Sequence, residues 1–253
     1  MEELGVQMLL WVVIGGFAAA FVDAVVGGGG LIAVPVLLLT GMPPTVALGT
    51  NKLAASMCSC TSMIAFMRSG KVELGLVRYL FPLALIGSVS GTLTLQFIPS
   101  SFLRPMVVVM LVAVTIYTLV RKQWGRESTY SELSPGSKAV AAAAALGLGF
   151  YDGFFGPGTG SFLLFTFLLL GFDFVKAAGN SKVLNFASNI ASLGTFMYLG
   201  LVNYSIGIPM GIAMIGGALL GSRIAIRKGA AYVRPLFIAV TALLIGKQLL
   251  DLI

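Results

Sequence analysis

The stretch FVDAVVGGGGLIAVPVLLL, residues 21–39, sets an aspartate and four consecutive glycines between two apolar runs. A second stretch, YDGFFGPGTGSFLLFTFLLL at residues 151–170, repeats this order of aspartate, glycine-rich segment and apolar run. Glycine reaches backbone conformations that other residues avoid, so each cluster predicts a sharp turn between two helices. The runs that follow, Leu31–Leu39 and Ser161–Leu170, are about ten residues long, which corresponds to helices of about 15 Å.

The composition of the chain indicates where these turns lie. Of the 253 residues, 58% are hydrophobic and only 10% are charged, whereas a soluble domain carries about 25% charged residues. So few charges cannot cover a soluble surface. A lipid environment favours helices, because each helix satisfies its own backbone hydrogen bonds. The composition therefore predicts an all-α polytopic integral membrane protein that has the lipid bilayer as a partner.

The apolar residues fall into ten runs, which predict about 8–10 hydrophobic helical segments. In chain order these runs are Leu4–Val22, Leu31–Leu39, Val46–Met67, Leu74–Phe97, Phe102–Val120, Ala139–Tyr151, Ser161–Leu170, Ala177–Leu199, Ser205–Ser222 and Pro235–Leu250. Crossing a hydrocarbon core of about 30 Å takes roughly 20 residues. The two short runs are therefore expected to end near the midplane, and the pattern leaves open whether they cross or turn back.

One long polar stretch, RKQWGRESTYSELSPGSK at residues 121–138, interrupts the apolar pattern. It divides the chain into a first membrane repeat at 1–120, a linker loop at 121–138 and a second membrane repeat at 139–253. Because basic residues concentrate in cytoplasmic loops, the linker is predicted to be cytoplasmic.

The two halves match each other at a constant register. Asp23 aligns with Asp152 at an offset of 129, and Lys52 aligns with Lys182 at 130, because the second glycine segment contains one extra residue. Further pairs at the offset of 130 are Phe66 with Phe196, Gly70 with Gly200, Gly87 with Gly217, Gly91 with Gly221, and Arg104-Pro105 with Arg234-Pro235. Apolar composition alone would not align these residue types, so the halves are related repeats.

The loop charges predict that the two repeats are inverted in the membrane. The loop after the third run carries Arg68, Lys71 and Arg78, whereas its counterpart at 199–204 carries no cation. The next loop reverses this bias, with Arg104 alone in the first repeat against Arg223, Arg227, Lys228 and Arg234 in the second. Equivalent loops thus face opposite sides, and both termini are predicted to be external.

Four charges fall inside the predicted hydrocarbon region: Asp23, Lys52, Asp152 and Lys182. Each costs several kcal/mol there unless it is paired or hydrated, which makes a functional role the first hypothesis. The alternative is that an Asp–Lys pair joins a broken helix to its neighbour. Both roles are compatible with one another.

Polar side chains share a helix face with each lysine. Lys182, Asn185 and Asn189 recur at i, i+3 and i+7, which is the spacing of one helical face. The first repeat has a weaker equivalent in Lys52, Ser56 and Ser59. Ammonium, amide and hydroxyl donors, together with the positive N-terminal ends of the half-helices, favour an anion. The competing interpretation of these Asn and Ser side chains is hydrogen bonding between helices.

Other patterns indicate packing. The spacing G-x-x-x-G at residues 87–91 and 217–221 predicts close contact between helices. Cys58 and Cys60 lie two apart in an apolar run, where a helix points them in different directions, so both are interpreted as small packing residues.

Several functional classes are disfavoured. The chain contains no histidine, which removes Ser-His-Asp and Cys-His catalysis and histidine-bearing metal or haem sites. The cations are scattered between apolar runs and form no stripe that would bind nucleic acid. The glycine clusters lack the Gly-Lys-Ser/Thr ending of a nucleotide loop. We therefore expect no enzyme activity, no metal, no cofactor and no nucleic-acid partner.

The doubled motif resembles the sulfite exporter TauE/SafE family. The resemblance lies in the segment Asp23–Gly30, the run Gly49–Lys52, and their echoes at Asp152–Gly160 and Gly179–Phe186, and it covers nearly the whole chain. It implies a bacterial inner-membrane permease with two similar halves that moves small sulfur-containing anions such as sulfite, sulfonates or sulfoacetate. The first half departs from the second in having Ala55 where the second has Asn185, which predicts an asymmetric site.

The sequence thus predicts a secondary transporter that moves a small anion by alternating access. The candidate substrate-binding residues are Lys52, Lys182, Asn51, Asn180, Ser181, Asn185, Gly29 and Gly158. Asp23 and Asp152 are expected to restrain the lysines or to carry a coupling proton. The alternative is a proton- or cation-coupled carrier in which both aspartates bind the ion and the lysines are counter-charges. The identity of the anion, the direction of transport and the oligomeric state are left open.

Overall fold

A computed structural model describes residues 2–97, 128–130, 134–229, 231–233, 235–236 and 238–239. Within these ranges the structure contains helices and no β-strand, which confirms the predicted all-α class. Its α-helices are α1 (Glu2–Val26), α2 (Gly30–Leu38), α3 (Pro44–Arg68), α4 (Leu74–Thr94), α5 (Pro135–Phe154), α6 (Thr159–Leu169), α7 (Phe174–Tyr198) and α8 (Tyr204–Lys228), and a 3₁₀ turn at Leu95–Phe97 follows α4.

Some of the predicted segments fall outside the described residues. The fifth apolar run, Phe102–Val120, lies there entirely, as do most of the linker at 121–138 and most of the last run, Pro235–Leu250. The described end of the linker differs from the prediction, because α5 already begins at Pro135. The side chain of Ser134 accepts a hydrogen bond from the backbone of Ser137, and proline is favourable in the first helical turn.

The helices of the two halves recur in the same order of lengths. The first, third and fourth helix of each half has 20 to 25 residues, whereas α2 has 9 and α6 has 11. At 1.5 Å per residue the short helices span only about 14 and 17 Å, which confirms the two half-length segments. The short α6 is almost wholly buried in protein, as backbone broken at membrane depth requires.

Three described segments are long and apolar enough to span a bilayer on their own: Gln7–Val26 in α1, α4, and α8. The equally long α3 and α7 fall short of this test because both carry buried polar residues in mid-helix. Lys52 and Lys182 are among these residues, and each is at most 2% exposed. The apolar outer helices therefore enclose two central helices that hold the polar groups.

Close glycine contacts fix the direction of the outer helices. A Cβ added at Gly217 would meet the carbonyl oxygen of Phe17, and one added at Gly221 would meet that of Phe21. Because both contacts advance together along the chain, α1 and α8 run parallel. The same relation holds for α4 and α5, where Gly87 meets Leu146 and Gly91 meets Phe150. The predicted role of both G-x-x-x-G segments in helix packing is confirmed.

The central helices relate the two halves to each other. Gly49 lies against Phe196 while Phe66 lies against Gly179, so α3 and α7 are antiparallel. Helices α3 and α8 run parallel, because Gly207 lies beside Thr50 and Gly211, four residues later, lies beside Ala54. Helices α4 and α7 are parallel as well. Hydrogen bonds join Glu73 to Asn180 at their N-terminal ends and Thr92 to Ser192 towards their C-terminal ends.

These directions make α1, α3 and α4 each antiparallel to its counterpart α5, α7 and α8. An inverted-topology repeat requires this relation. The inverted orientation within a membrane stays a prediction.

The two glycine-rich turns meet at the centre of the molecule. Gly27 and Gly28 have φ values of 78° and 84°, and Gly156 and Gly158 have values of 93° and 92°, all in the left-handed region where a side chain is strained. The backbone of Gly27 packs directly against Gly160. This contact brings the N-terminal ends of α2 and α6 together.

We predict that a methyl group distinguishes two adjacent glycines of α8. Gly217→Ala should destabilise the protein by about 1–3 kcal/mol, the usual cost of overpacking, because the new Cβ collides with the backbone of Phe17. Gly216→Ala is the matched control, since its Cβ would lie 3.5 Å from the nearest ring atom of Phe17. Melting temperature in detergent measures both. Equal melting temperatures for the two variants would contradict the close approach of α1 and α8.

Candidate functional site

Two buried ion pairs lie between the halves. Lys52 Nζ lies 2.8 Å from Asp152 Oδ1, and Lys182 Nζ lies 2.7 Å from Asp23 Oδ2. In each pair the lysine comes from one half and the aspartate from the other. The pairs therefore link the halves in both directions, and the role of the aspartates as restraints or as carriers of a coupling proton stays a prediction.

Because both ion pairs are buried, each charged side chain needs its partner. The side chains of Lys52 and Asp152 are 2% and 3% exposed, and those of Lys182 and Asp23 are 1% and 15% exposed. Removing an ion from water costs several kcal/mol even after the protein relaxes, and a nearby opposite charge offsets this cost only in good geometry. Neither lysine is therefore a free cation in this conformation.

Further hydrogen bonds surround each carboxylate. Asp152 accepts a hydrogen bond from the hydroxyl of Ser188, and Lys52 also donates to Asn189 Oδ1 at 3.2 Å. Asp23 accepts from the thiol of Cys58 at 3.9 Å. Cys58 and Ser188 are equivalent at the offset of 130, so each aspartate has a donor at the same place on the third helix of its own half.

Glycines of the two turns allow the charged groups to approach. The backbone N–H of Gly29 donates to Asp23 Oδ1 at 3.2 Å, and a Cβ at Gly29 would lie only 2.6 Å from the Cβ of Asp23. A Cβ at Gly156 would lie 3.0 Å from Lys52 Nζ. Alanine at either position would therefore displace a member of an ion pair.

The two pairs lie at different depths. Lys52 is the ninth residue of α3 and Lys182 is the ninth residue of α7. Eight helical steps correspond to about 12 Å. Because α3 and α7 are antiparallel, each lysine lies about that far from opposite ends of the bundle.

A cavity of about 30 Å³ lies where the two glycine turns meet. Seven of the predicted site residues line it: Asp23, Gly29, Asn51, Lys52, Asp152, Gly158 and Asn185. The volume is about the share of one water molecule in the liquid. The cavity is therefore too small for a ligand of several atoms unless the halves move apart.

An unpaired amide faces this cavity. Asn51 is 6% exposed, and its Oδ1 has no hydrogen-bond partner within the described part of the chain. Buried polar atoms are nearly always hydrogen-bonded, so this amide is available to a ligand. A 180° flip exchanges its oxygen for its NH₂ group.

Three predicted site residues lie elsewhere. Lys182 is behind Asp23 and is not part of the cavity lining. Asn180 accepts a hydrogen bond from the backbone N–H of Glu73 at 2.7 Å, and Ser181 donates to the carbonyl of Ala178. A helix turns 100° per residue, so Asn180 faces away from Lys182 and holds the start of α4 instead.

Sequence reasoning missed two members of the site. Asn189 was placed on the polar face of α7 but not among the candidate residues, although it bonds Lys52 and lines the cavity. Cys58 was interpreted as a packing residue, yet its thiol donates to Asp23. The sequence did contain an indication of this role, because the offset of 130 between the halves aligns Cys58 with Ser188.

Comparison with known proteins identifies the family. The profile described as sulfite exporter TauE/SafE matches residues 12–247. The chain belongs to the sulfite exporter TauE/SafE family. A probable membrane transporter protein of Haemophilus influenzae is 38% identical over 98% of this chain and 97% of its own length. One of a Sinorhizobium species is 35% identical, over 99% and 96%, and one of Escherichia coli is 36% identical, over 92% and 86%. No solved structure matches the chain.

Membership of the TauE/SafE family confirms the resemblance found in the doubled motif. The relatives are probable membrane transporter proteins, and the apolar helices are long enough to cross a bilayer. The protein is thus a multi-pass membrane transporter of this family and not an enzyme.

We predict that the two ion pairs behave as matched units. Lys52→Met should cost about 3–5 kcal/mol, because removal of one partner leaves Asp152 charged and buried. Adding Asp152→Asn should recover most of this loss. Adding Asp23→Asn to Lys52→Met is the matched control, and it should lower stability further because it breaks the second pair. Melting temperatures of the purified variants measure the effect, and equal recovery in both double variants would disprove the pairing.

Proposed function

We propose that the protein is a secondary-active transporter of a small sulfur-containing anion, such as sulfite, a sulfonate or sulfoacetate, that works by alternating access. The observation that carries the proposal is the lining of the central cavity. Its walls include the first turns of both half-helices, at Gly28–Gly30 and Gly158–Gly160, together with the ammonium group of Lys52. Helix N-termini and a lysine are favourable neighbours of a negative charge.

The local charge balance supports a singly charged anion. Two lysines and two aspartates cancel in the two ion pairs. The N-termini of α2 and α6 each contribute about half of a positive elementary charge. Their sum of about one charge matches one sulfonate or hydrogensulfite group. A cation would meet the opposite field.

Donors around the cavity supply hydrogen bonds to the anion. The amides of Asn51, Asn185 and Asn189 line the cavity beside Lys52. Asn185 and Asn189 have Ala55 and Ser59 as counterparts in the first half. Two of these three amides thus belong to the second half, whereas Lys52 and Asn51 belong to the first.

The ion pairs are suited to be alternating gates. The pair of Asp23 with Lys182 lies nearer the end of the bundle that carries Arg68, and the pair of Asp152 with Lys52 lies nearer the opposite end. Opening one side separates one pair while the other stays closed. The antiparallel relation of the counterpart helices supports inverted repeats, which many transporters use in this way.

The positions of the cations support a cytoplasmic face. Apart from the two buried lysines, every cation of the described residues lies at one end of the bundle: Arg68, Lys71, Arg78, Lys138, Lys176, Arg223, Arg227 and Lys228. Basic residues are concentrated on the cytoplasmic side of membrane proteins. We therefore propose that this end faces the cytoplasm, that the membrane is the bacterial inner membrane, and that both termini are external.

A coupled carrier is the second candidate. Its support is the exposure of Asp23, whose side chain is 15% accessible against 3% for Asp152. A proton that reaches Asp23 would release Lys182 from its partner. In this version the aspartates bind the coupling ion, and the lysines act as internal counter-charges.

We predict that a sulfur-containing anion stabilises the purified protein through the cavity residues. The measurement is a thermal-shift screen with sulfite, sulfate, thiosulfate, taurine, sulfoacetate and carboxylates. Ligand at 100 times its Kd contributes about 2.7 kcal/mol. Asn185→Ala should remove the shift, because its amide lines the cavity, whereas Ser181→Ala should keep it, because its hydroxyl bonds the backbone of its own helix.

Transport assays in vesicles complete this test. Lys52→Ala and Lys182→Ala should abolish uptake of the anion that gives the shift. Unchanged transport in both variants would contradict the anion site. A shift with Na⁺ or with pH, and none with any anion, would favour the coupled carrier instead.

A further inference from the structure

A basic groove lies on the outer surface of the bundle, away from the central cavity. It has a volume of about 520 Å³ and runs between the parallel helices α3 and α8 near their C-terminal ends. Its charged residues are Arg68, Arg223 and Arg227, and its apolar floor includes Ile64 and Leu219. This volume is in the range of small-molecule binding sites.

The groove faces lipid. Thr61 lines it and follows Lys52 by nine residues, which turns it through about 900°, or half a turn from the face of the ion pair. Ile64 is 41% exposed and Leu219 is 39% exposed. Apolar side chains that are exposed on a membrane helix contact the acyl chains of the bilayer. The arginines lie at the end of the helices, where headgroups begin.

The three guanidinium groups have no carboxylate partner in the described residues. Both salt bridges found there belong to the buried lysines. Three unneutralised cations on a single groove repel each other unless an anion lies between them. An arginine fork binds the oxygens of a phosphate with two parallel hydrogen bonds.

The internal repeat provides a comparison within the same molecule. At the offset of 130, the positions of Arg68, Arg223 and Arg227 are equivalent to Tyr198, Leu93 and Phe97. These three equivalent residues are all exposed: Tyr198 at 88%, Leu93 at 44% and Phe97 at 82%. The equivalent surface at the opposite end thus has aromatic and apolar residues, which suit an uncharged interface. The common helix packing therefore does not require the arginines.

We propose that this groove binds the phosphate headgroup of an anionic phospholipid, with the acyl chains along Ile64 and Leu219. Basic pockets between membrane helices on the cytoplasmic side are suited to such headgroups. Because α3 belongs to the first half and α8 to the second, a site between them would let lipid composition bias how the halves move. The proposal does not depend on the identity of the transported anion.

The test compares two charge-matched double variants of the full chain in phosphatidylcholine nanodiscs. Binding of phosphatidylglycerol is titrated and followed by native mass spectrometry. Arg68→Gln with Arg223→Gln should weaken binding at least tenfold, since each replacement removes charge-assisted hydrogen bonds to the phosphate. Lys71→Gln with Arg78→Gln removes the same charge from the same end outside the groove, and it should change binding less than threefold.

Three outcomes separate the possibilities. Equal weakening in both double variants would overturn the proposal, because only the overall charge would matter. Displacement of the lipid by millimolar inorganic phosphate would also overturn it, because the site would then take a free ion. Loss in the groove variant at an unchanged melting temperature, with partial retention when the same two arginines are replaced by lysine, supports the proposal.

Discussion

An ammonium group buried in a membrane protein needs a carboxylate within hydrogen-bonding distance, and here each lysine finds its partner on the other half of the chain. Broken pairs leave buried charges that cost several kcal/mol. The halves are therefore held in register by electrostatics at the centre as well as by glycine contacts at the edge. A movement that separates the halves at either pair has to supply the buried charges with new partners or with water.

The glycine turns make this arrangement possible. Gly27 and Gly160 bring two backbones into contact at the centre, and Gly156 leaves room for the ammonium group of Lys52. Ending α1 and α5 within the protein also exposes the N-terminal turns of α2 and α6 to the cavity. The half-length helices thus provide two positive dipoles at a depth where water is scarce, and dipoles act more strongly there than in solvent.

Much of the fold follows from local patterns in the sequence. Run lengths predict the helices, and the offset of 130 aligns equivalent residues without any knowledge of packing. Pairing across the halves depends on which helices meet, so the sequence alone did not assign Asp23 to a particular lysine. Asn180 was predicted to be a donor at the site, but it lies two residues before Lys182, and a rotation of about 200° places it on the other side of the helix. The arginine groove needs α3 and α8 to be parallel neighbours, which no local pattern reveals.

Departures from the internal repeat carry most of the functional information. An inverted repeat accounts for two equivalent conformations, one open to each side, and a fully symmetric chain would favour neither. This chain has Asn185 where the first half has Ala55, and Cys58 where the second half has Ser188. A thiol is a weaker hydrogen-bond donor than a hydroxyl, so the contact of Cys58 with Asp23 is weaker than that of Ser188 with Asp152. In the proposed mechanism such differences make the two gates unequal, which would give the two sides of the transporter unequal affinity and a preferred resting state.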